Sequence, residues 1–512
     1  MGWHRSEEKR LRDVNVSRRR FVRFAGALVL GGMGTTLLAA CSPSAAPAPT
    51  AAPAGGQPTT AAAKPTAAAA PKPSAAAQAS PGAAAAASPA AASSPAAAAS
   101  PVAQTGPAPI AKQGSSLSVL VWSHFVPAYD DWLDNFAKDW GSKNKVTVKV
   151  DHVRNLDLPA RFAAEASAGA GHDLIEFQAV IQTHTYEDKL VDMSDLANIL
   201  SNKYGGWIDM AKNVGLVNGT WRAVQSYFIA QPNIYRKDYF DAVGAPYPDD
   251  YLTLLDSSRK LKAAGHPCGQ AMSNTNDGNH NWRSVLYSFG GTETSPDGKT
   301  ITINSPETLA ALKYGVQLYN DGMTDEVFSW DDSSNNLLIL SGRGSWIDNA
   351  TSVYITAVNQ SPDIAEQLQV ALNPKGPGDK GGRRNVSDAN AWAIWKTSSN
   401  PDTAKAFLLA WYDAWQDWGK VSSGYNSPPL NDFWKKPMPG LDTDPKLSIM
   451  QDWKDLAFVY GYQGPITQAM EEVQSTFVMP NMFARAARGD TPENALAWAE
   501  GEYKRIFSKY KL

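Results

Sequence analysis

Residues 116–153 read SLSVLVWSHFVPAYDDWLDNFAKDWGSKNKVTVKVDHV, and the periodicity changes twice within them. SLSVLVW (116–122) is a short apolar run after a polar start, the pattern of a buried strand. VPAYDDWLDNFAKDWGSKN (126–144) spaces Trp132, Phe136 and Trp140 four apart, one stripe of an amphipathic helix. KVTVKVDHV (145–153) alternates Val with Lys and Asp, the pattern of a second strand. The alternation continues: LPARFAAEASAGAGHDL (158–174) reads as a helix ended by glycines, and DLIEFQAV (173–180) as a third strand. Strand, helix, strand in this order implies parallel βαβ units and an α/β fold.

Outward from this core the same signals recur. Ser305–Pro306, Asn400–Pro401 and Thr491–Pro492 each place a capping residue before a proline at the start of a helical pattern. Asp297–Gly298, within SPDGKTITIN, predicts a hairpin turn feeding an alternating strand. No internal repeat is evident, and no second apolar run after the N-terminus is long enough to span a membrane.

The N-terminus is of another kind. SRRRFVRFAGALVLGGMGTTLLAAC (17–41) has a basic start, an apolar run from Phe24 and small residues before Cys41. A spanning helix needs about 20 apolar residues; this run is shorter and contains Gly31, Gly32 and Gly34, so a cleaved export signal fits better than an uncleaved anchor. Ser17–Arg23, with Arg18 and Arg19, resembles the twin-arginine export pattern, and Leu38-Ala39-Ala40-Cys41 resembles the bacterial lipobox. The expected outcome is cleavage after residue 40 and lipidation of Cys41. The segment 41–115 is almost wholly Ala, Pro, Ser, Thr, Gly and Gln. Nothing there offsets the entropy of ordering, so a disordered tether is expected, reaching ~50 Å as a coil. A cell-wall stalk or O-glycosylated spacer is compatible with the same role.

Composition narrows the function. The 512 residues carry a formal charge of −3, and removing the basic first 40 leaves −8. That argues against nucleic acid as a partner, because such binding rests on phosphate neutralisation. The chain has 17 Trp, all but Trp3 after residue 115, enough for a large core or for a site that stacks on sugars. With only Cys41 and Cys268 there is no disulfide framework, and Cys268 reads as a small buried apolar residue.

Over 116–512 a family resemblance is carried by motifs in order. ASAGAGHDLIEF (166–177) resembles an A-x-G-x-x-P-D stretch, with His172 in place of Pro. LVDMSDL (190–196) resembles L-x-D-L-S-D-L. NIYRKDYFDAVGAPYPDDYLTLLDSSRKL (233–261) resembles Y-N-K-D-x-F-x-x-A-G-x-x-x-P-x-T-W-D-E, with Arg236 for Asn and Tyr251 near the usual Trp. LSGRGSWIDN (340–349) has Arg343 at the Lys of G-K-A-A-M, and RAARGDTPENALAWAE (485–500) resembles the C-terminal G-x-x-T-P-E-E-A-L helix. Together these resemble the extracellular solute-binding proteins of ABC transporters, the large sugar-binding kind related to maltose-binding protein.

The resemblance implies a two-lobed, type II periplasmic-binding-protein-like fold, each lobe a sheet flanked by helices with a ligand cleft at the hinge. Lobe 1 is expected to comprise 116–228 with 393–423, and lobe 2 to comprise 229–392 with 424–512, following 1–40 as signal and 41–115 as tether. The implied function is a lipid-anchored, monomeric extracytoplasmic receptor, on the cell surface or in the periplasm. It would deliver a mono- or oligosaccharide to an ABC permease, with no cofactor and no catalysis.

In open α/β lobes, ligands bind beyond the carboxyl ends of strands. Strand ends and the resemblance together nominate Trp122, Ser123 and His124, then Gln178, then Gln225 and Tyr227 before the crossover at about 229–235. Asn279 and Trp282 lie in NDGNHNWRS, read as a polar loop before a helix. Trp346, Asp348 and Asn349 follow GRG; Asp388, Asn390 and Trp392 lie at the return crossover; Tyr425 and Asn426 follow SSG. Each tryptophan has two readings, cleft platform or core; Trp411, Trp415 and Trp418 read as core. Asp388 with Asn390 is the preferred polar pair.

Other chemistries are poorly supported. There is no G-x-S-x-G. GGTETSPDGKT (290–300) has the wrong spacing for a phosphate-binding loop. The seven histidines show no metal-ligand spacing. Acid pairs such as Asp249/Asp250 and Asp331/Asp332 could act as glycosidase carboxylates, but adjacent acids in loops are far more often solvated or capping. The same fold binding a glycerol phosphodiester or a polyamine is the nearer alternative, with Arg383 and Arg384 as candidates for phosphate. A secreted polysaccharide hydrolase or lyase is the more distant one.

Overall fold

The computed structural model describes residues 107–511. Arg18, Arg19, Cys41 and the expected tether up to residue 106 lie outside the described residues. The last of that tether is placed: Gly114 N–H donates to Lys145 O (2.8 Å) and Lys112 N–H to Thr403 Oγ1 (3.0 Å). Backbone bonding, rather than composition, decides where the folded region starts.

The opening stretch folds as its periodicity predicts, into β1 (Ser116–Trp122), α1 (Pro127–Asn144) and β2 (Thr147–Val153). Then come α2 (Leu158–Ala168), capped by left-handed Gly169, and β3 (Leu174–Gln178). The buried stripe of α1 is Tyr129, Leu133, Ala137 and Trp140. Trp132 and Phe136 flank it, stack on each other at 5.1 Å, and are half-buried. β4 (Val224–Ile229) and β5 (Asn233–Arg236) are separated by a three-residue crossover, Ala230–Pro232.

The first sheet has the order β2-β1-β3-β8-β4, where β8 is Asp388–Ile394. β1, β2 and β3 are parallel, while β8 runs antiparallel to both neighbours. The start of β8 therefore lies at the same edge as the ends of β3 and β4. Asn390 pairs with Gln178, and Trp392 with Glu176. A bulge on the β4 side between Ala389 and Ala391 lets both Ser226 and Tyr227 approach Glu176.

The second sheet is smaller, in the order β6-β5-β7, with β6 at Trp346–Asp348 and β7 at Leu368–Ala371. Around it pack α3 (Tyr251–Ala263), α4 (Asn276–Ser288), α5 (Pro306–Gly322) and the C-terminal helices. A buried ion pair, Arg283–Glu293 at 3.0 Å, ties α4 to the Tyr503 hydroxyl of the last helix. After β8, the chain stays with the first lobe through Trp434. Ser427 bridges Phe228, Leu430 bridges Trp207, and Phe433 packs on Tyr204 at 4.7 Å. By Asp444, which accepts from the Tyr354 hydroxyl (2.5 Å), it has reached the second lobe.

Local expectations differ at three points. Ser305 and Thr491 cap their helices as predicted, but Asn400 makes no cap bond; its amide donates to Ser116 O and Ser399 Oγ instead. The Asp297–Gly298 turn forms, with Gly298 at φ +72°, yet the expected strand reduces to one bridge, Thr294 to Ile301. The supposed polar loop NDGNHNWRS is itself the first nine residues of α4, capped by Thr275. His172, where Pro is usual, has a structural role: it joins Glu165 (2.6 Å) to Asp151 (3.0 Å) beneath β3.

Candidate functional site

The ends of β1, β3 and β4 and the start of β8 bring an aromatic and amide cluster to one edge. Trp122 donates its indole N–H to the Tyr227 hydroxyl at 2.8 Å. The His124 ring lies 4.5 Å from Trp122, 4.7 Å from Tyr129 and 5.0 Å from Tyr425. Val126 N–H donates to His124 Nδ1 (2.9 Å), so Nε2 carries the proton and donates to Asn426 Oδ1 (2.9 Å). Burial pushes His124 down to about 4, which keeps this imidazole neutral. Beneath it, burial raises Glu176 to about 8; it accepts from Ser226 Oγ (2.8 Å) with the Tyr227 hydroxyl beside it.

The second lobe meets this edge with the N-terminal turns of α4. Asn276 Nδ2 reaches Gln178 Oε1 at 3.5 Å, and His280 contacts Asp388. Asp332 accepts from Asp277 N–H (3.1 Å) and from Asn155 Nδ2 of the first lobe (3.0 Å). Asp277 accepts from Asn335 Nδ2 (2.6 Å). The lobes are therefore closed on one another. Burial raises Asp332 to about 6, and raises Asp277 further because Asp332 and Asp388 add like charge. A second lobe-to-lobe contact is made by Glu471, which accepts from the backbone N–H of His184 (2.9 Å) and Thr185 (2.7 Å) and from Thr185 Oγ1 (2.6 Å).

The structure gathers Trp122, His124, Gln178, Tyr227, Asp388, Asn390, Tyr425 and Asn426 at this edge. Ser123 sits exposed beside it. The remaining expected residues lie elsewhere. Trp346 is fully buried in the second-lobe core, its indole donating to Ser258 Oγ (2.9 Å). Trp282 is likewise core, bonded to Ala271 O and stacked on Phe483 at 4.3 Å. Asn279 bonds Gln474 O and Arg283, inside α4's packing. Asp348 belongs to a buried hinge network in which Asn373 Nδ2 donates to both Asn233 Oδ1 (2.8 Å) and Asp348 Oδ2 (3.0 Å). Asn349 contacts Asn336 and its own neighbour's N–H. Trp392 lies under the sheet edge against Trp411 at 5.7 Å, and Gln225 pairs with Ala391 on the opposite face. Sequence reasoning missed Asn155, Asn276, Asp277, His280 and Asp332. Five polar residues among the six that follow a Thr cap, Asn276–Asn281, are the signal that points to the α4 group.

The other charged candidates have local duties. Asp250 caps α3 through Thr253, Asp249 pairs with Lys375 at 2.9 Å, and Asp331 holds Ser333 and Ser334. Arg383 reaches Asp249 and Asn373 O, while Arg384 bonds Tyr287 O (2.7 Å), so neither contacts the cleft cluster. Among the described residues, no group of three or more His, Cys, Asp or Glu is arranged to hold a metal ion, and no helix is long and apolar enough to cross a membrane.

Two α/β lobes joined by chain crossovers, with a five-stranded sheet carrying one antiparallel strand, define a two-lobed periplasmic-binding-protein fold. The chain belongs to the family of bacterial extracellular solute-binding proteins, whose model matches residues 123–414. Solved structures share the fold at low identity. An ABC transporter solute-binding protein from Thermotoga lettingae, bound with alpha-D-tagatose, is 21% identical with a TM-score of 0.65, covering 77% of this chain and 100% of its own. Maltose-bound MalE3 of T. maritima is 19% identical with a TM-score of 0.66, covering 77% and 100%. A sugar transporter from Arthrobacter chlorophenolicus with bound laminaribiose is 16% identical with a TM-score of 0.67, covering 78% and 100%. No curated protein sequence matches the chain.

Proposed function

We propose that this protein is an extracytoplasmic receptor that closes its two lobes around a carbohydrate and presents it to an ABC permease. The observation that carries the reading is the interlobe cluster itself. The rings of Trp122, at the end of β1, and Tyr425, in the turn before Asn426, both pack on His124, whose Nε2 bonds Asn426; Asp388 and Asn390 lie in the first residues of β8, with Asp388 against His280 of α4. Sugars need this pairing of flat apolar surface with fixed polar groups. The tagatose-, maltose- and laminaribiose-bound neighbours support the same ligand class. Binding energy favours the closed form, which the permease then recognises.

The acids in the cleft disfavour a phosphodiester, and Asp249, Asp250 and Asp331 are taken up by local bonds outside it. No catalysis is assigned. The segment 1–40 is assigned as a twin-arginine lipoprotein signal and 41–115 as a linker from lipidated Cys41; a diacyl group supplies two chains, enough for stable anchoring. Thermal-shift screening of the purified protein against mono- and oligosaccharides tests the ligand class: stabilisation by at least one is expected. Stabilisation only by glycerol phosphodiesters or polyamines would remove it.

A further inference from the structure

The interlobe cluster has an unusual charge balance. Asp277, Asp332 and Asp388 come from α4, the turn before Ser334 and the start of β8, and all three are buried. They lie within electrostatic reach of one another and of the Tyr425 ring. Among the described residues, no lysine or arginine is hydrogen-bonded or ion-paired to any of the three; the His280 imidazole contacts Asp388. Ionised carboxylates buried this close together repel each other, and that repulsion is relieved by a positive charge placed among them.

A second observation marks the same space as built for a ligand. The Asn390 side chain is fully buried beside the Tyr227 hydroxyl, with hydrogen-bonding capacity left over on its amide. It lies two residues along the same strand face from Asp388 and opposite Gln178, whose Oε1 reaches Asn276 beside Asp277. Asn426 Nδ2 and Asn276 Oδ1 are buried without partners. Buried amides left in this state are normally satisfied by something that binds.

We infer that the ligand is an amine-bearing carbohydrate, its ammonium held by Asp277, Asp332 and Asp388 and its hydroxyls by these incompletely bonded amides. The inference rests on the interlobe cluster being the ligand site and on the carbohydrate reading above. The ammonium donates to carboxylate oxygens as a charge-assisted bond, while Asn390 and Asn426 donate to and accept from neutral hydroxyls. An N-acetyl group would put a bulky neutral amide among the carboxylates and leave them unneutralised.

Calorimetric titration of the full chain at pH 7.5 compares matched sets: glucosamine, N-acetylglucosamine and glucose; the corresponding galactose and mannose sets; and chitobiose, diacetylchitobiose and cellobiose. Spermidine is the amine without a sugar. At least one free-amine sugar is expected to bind about tenfold or more tighter than its acetylated and neutral counterparts. Asp388→Asn and Asp332→Asn are each expected to shrink that ratio toward one. If a neutral or acetylated sugar binds as tightly as its amine, the inference falls and the carbohydrate receptor stands. If spermidine alone binds, or nothing does, both fall.

Discussion

Replacing Glu176 by Gln is expected to stabilise the protein at neutral pH. Glu176 is buried in β3, accepts from Ser226 Oγ at 2.8 Å, and among the described residues pairs with no lysine or arginine. Burial raises it from 4.5 to about 8. The sign follows from linkage. Between those values the unfolded chain gives up the proton and the folded chain keeps it, so stability contributed by the protonated acid is complete below pH 4.5 and is lost as pH rises toward 8. At 1.36 kcal/mol per pH unit, the penalty at pH 7 is about 3 kcal/mol. Gln is isosteric with the protonated acid and carries no such penalty. Urea denaturation of wild type and Glu176→Gln at pH 5 and pH 7.5 measures it. The variant is expected to be the more stable at pH 7.5, with most of its advantage gone at pH 5. A variant destabilised by more than about 1 kcal/mol at pH 7.5 would show that the carboxylate is ionised and satisfied, refuting the argument.

Glu471→Gln removes a charged acceptor from three lobe-to-lobe bonds, and ligand affinity is expected to fall about ten- to hundredfold, with an enlarged radius of gyration by small-angle scattering. Tyr425→Ala is expected to weaken ligand binding in calorimetry and, because the ring is buried against His124, also to lower stability by about 3–5 kcal/mol. Trp346→Phe, which removes the indole's bond to Ser258 Oγ and leaves a cavity in the second-lobe core, is expected to lower stability by about 1–3 kcal/mol and leave affinity intact. Because His124 is held down at about 4, its titration is expected to contribute nothing to the pH dependence of binding between pH 5 and 8; a His124 NMR titration midpoint near 6.5 would contradict this.

The alternating strand and helix periods of 116–180 name the first lobe without help, because burial of one face imposes those periods directly. The caps at Ser305 and Thr491 are legible for the same local reason. The site is less so. Trp122 and Trp346 both sit at strand termini, yet Trp122 ends a strand at the lobe edge while Trp346 is covered by α3. That depends on which helix packs over the strand, a long-range fact with no local signature. α4 defeated the reading differently: its first turn is polar because it is buried against other polar groups, so it lacks the apolar stripe that marks an ordinary helix. Asp332 looked like an ordinary capping acid because its partners, Asn155 and Asp277, are distant in sequence.

The central claim is that a carbohydrate binds between the lobes and closes them. Small-angle scattering of the purified protein, titrated with the sugar that gives the strongest thermal shift, tests it most directly. A single-site contraction is expected, saturating in step with calorimetric binding and abolished in Asp388→Asn combined with Tyr425→Ala. Sugar binding that leaves the radius of gyration unchanged and survives both substitutions would place the site elsewhere and contradict the account.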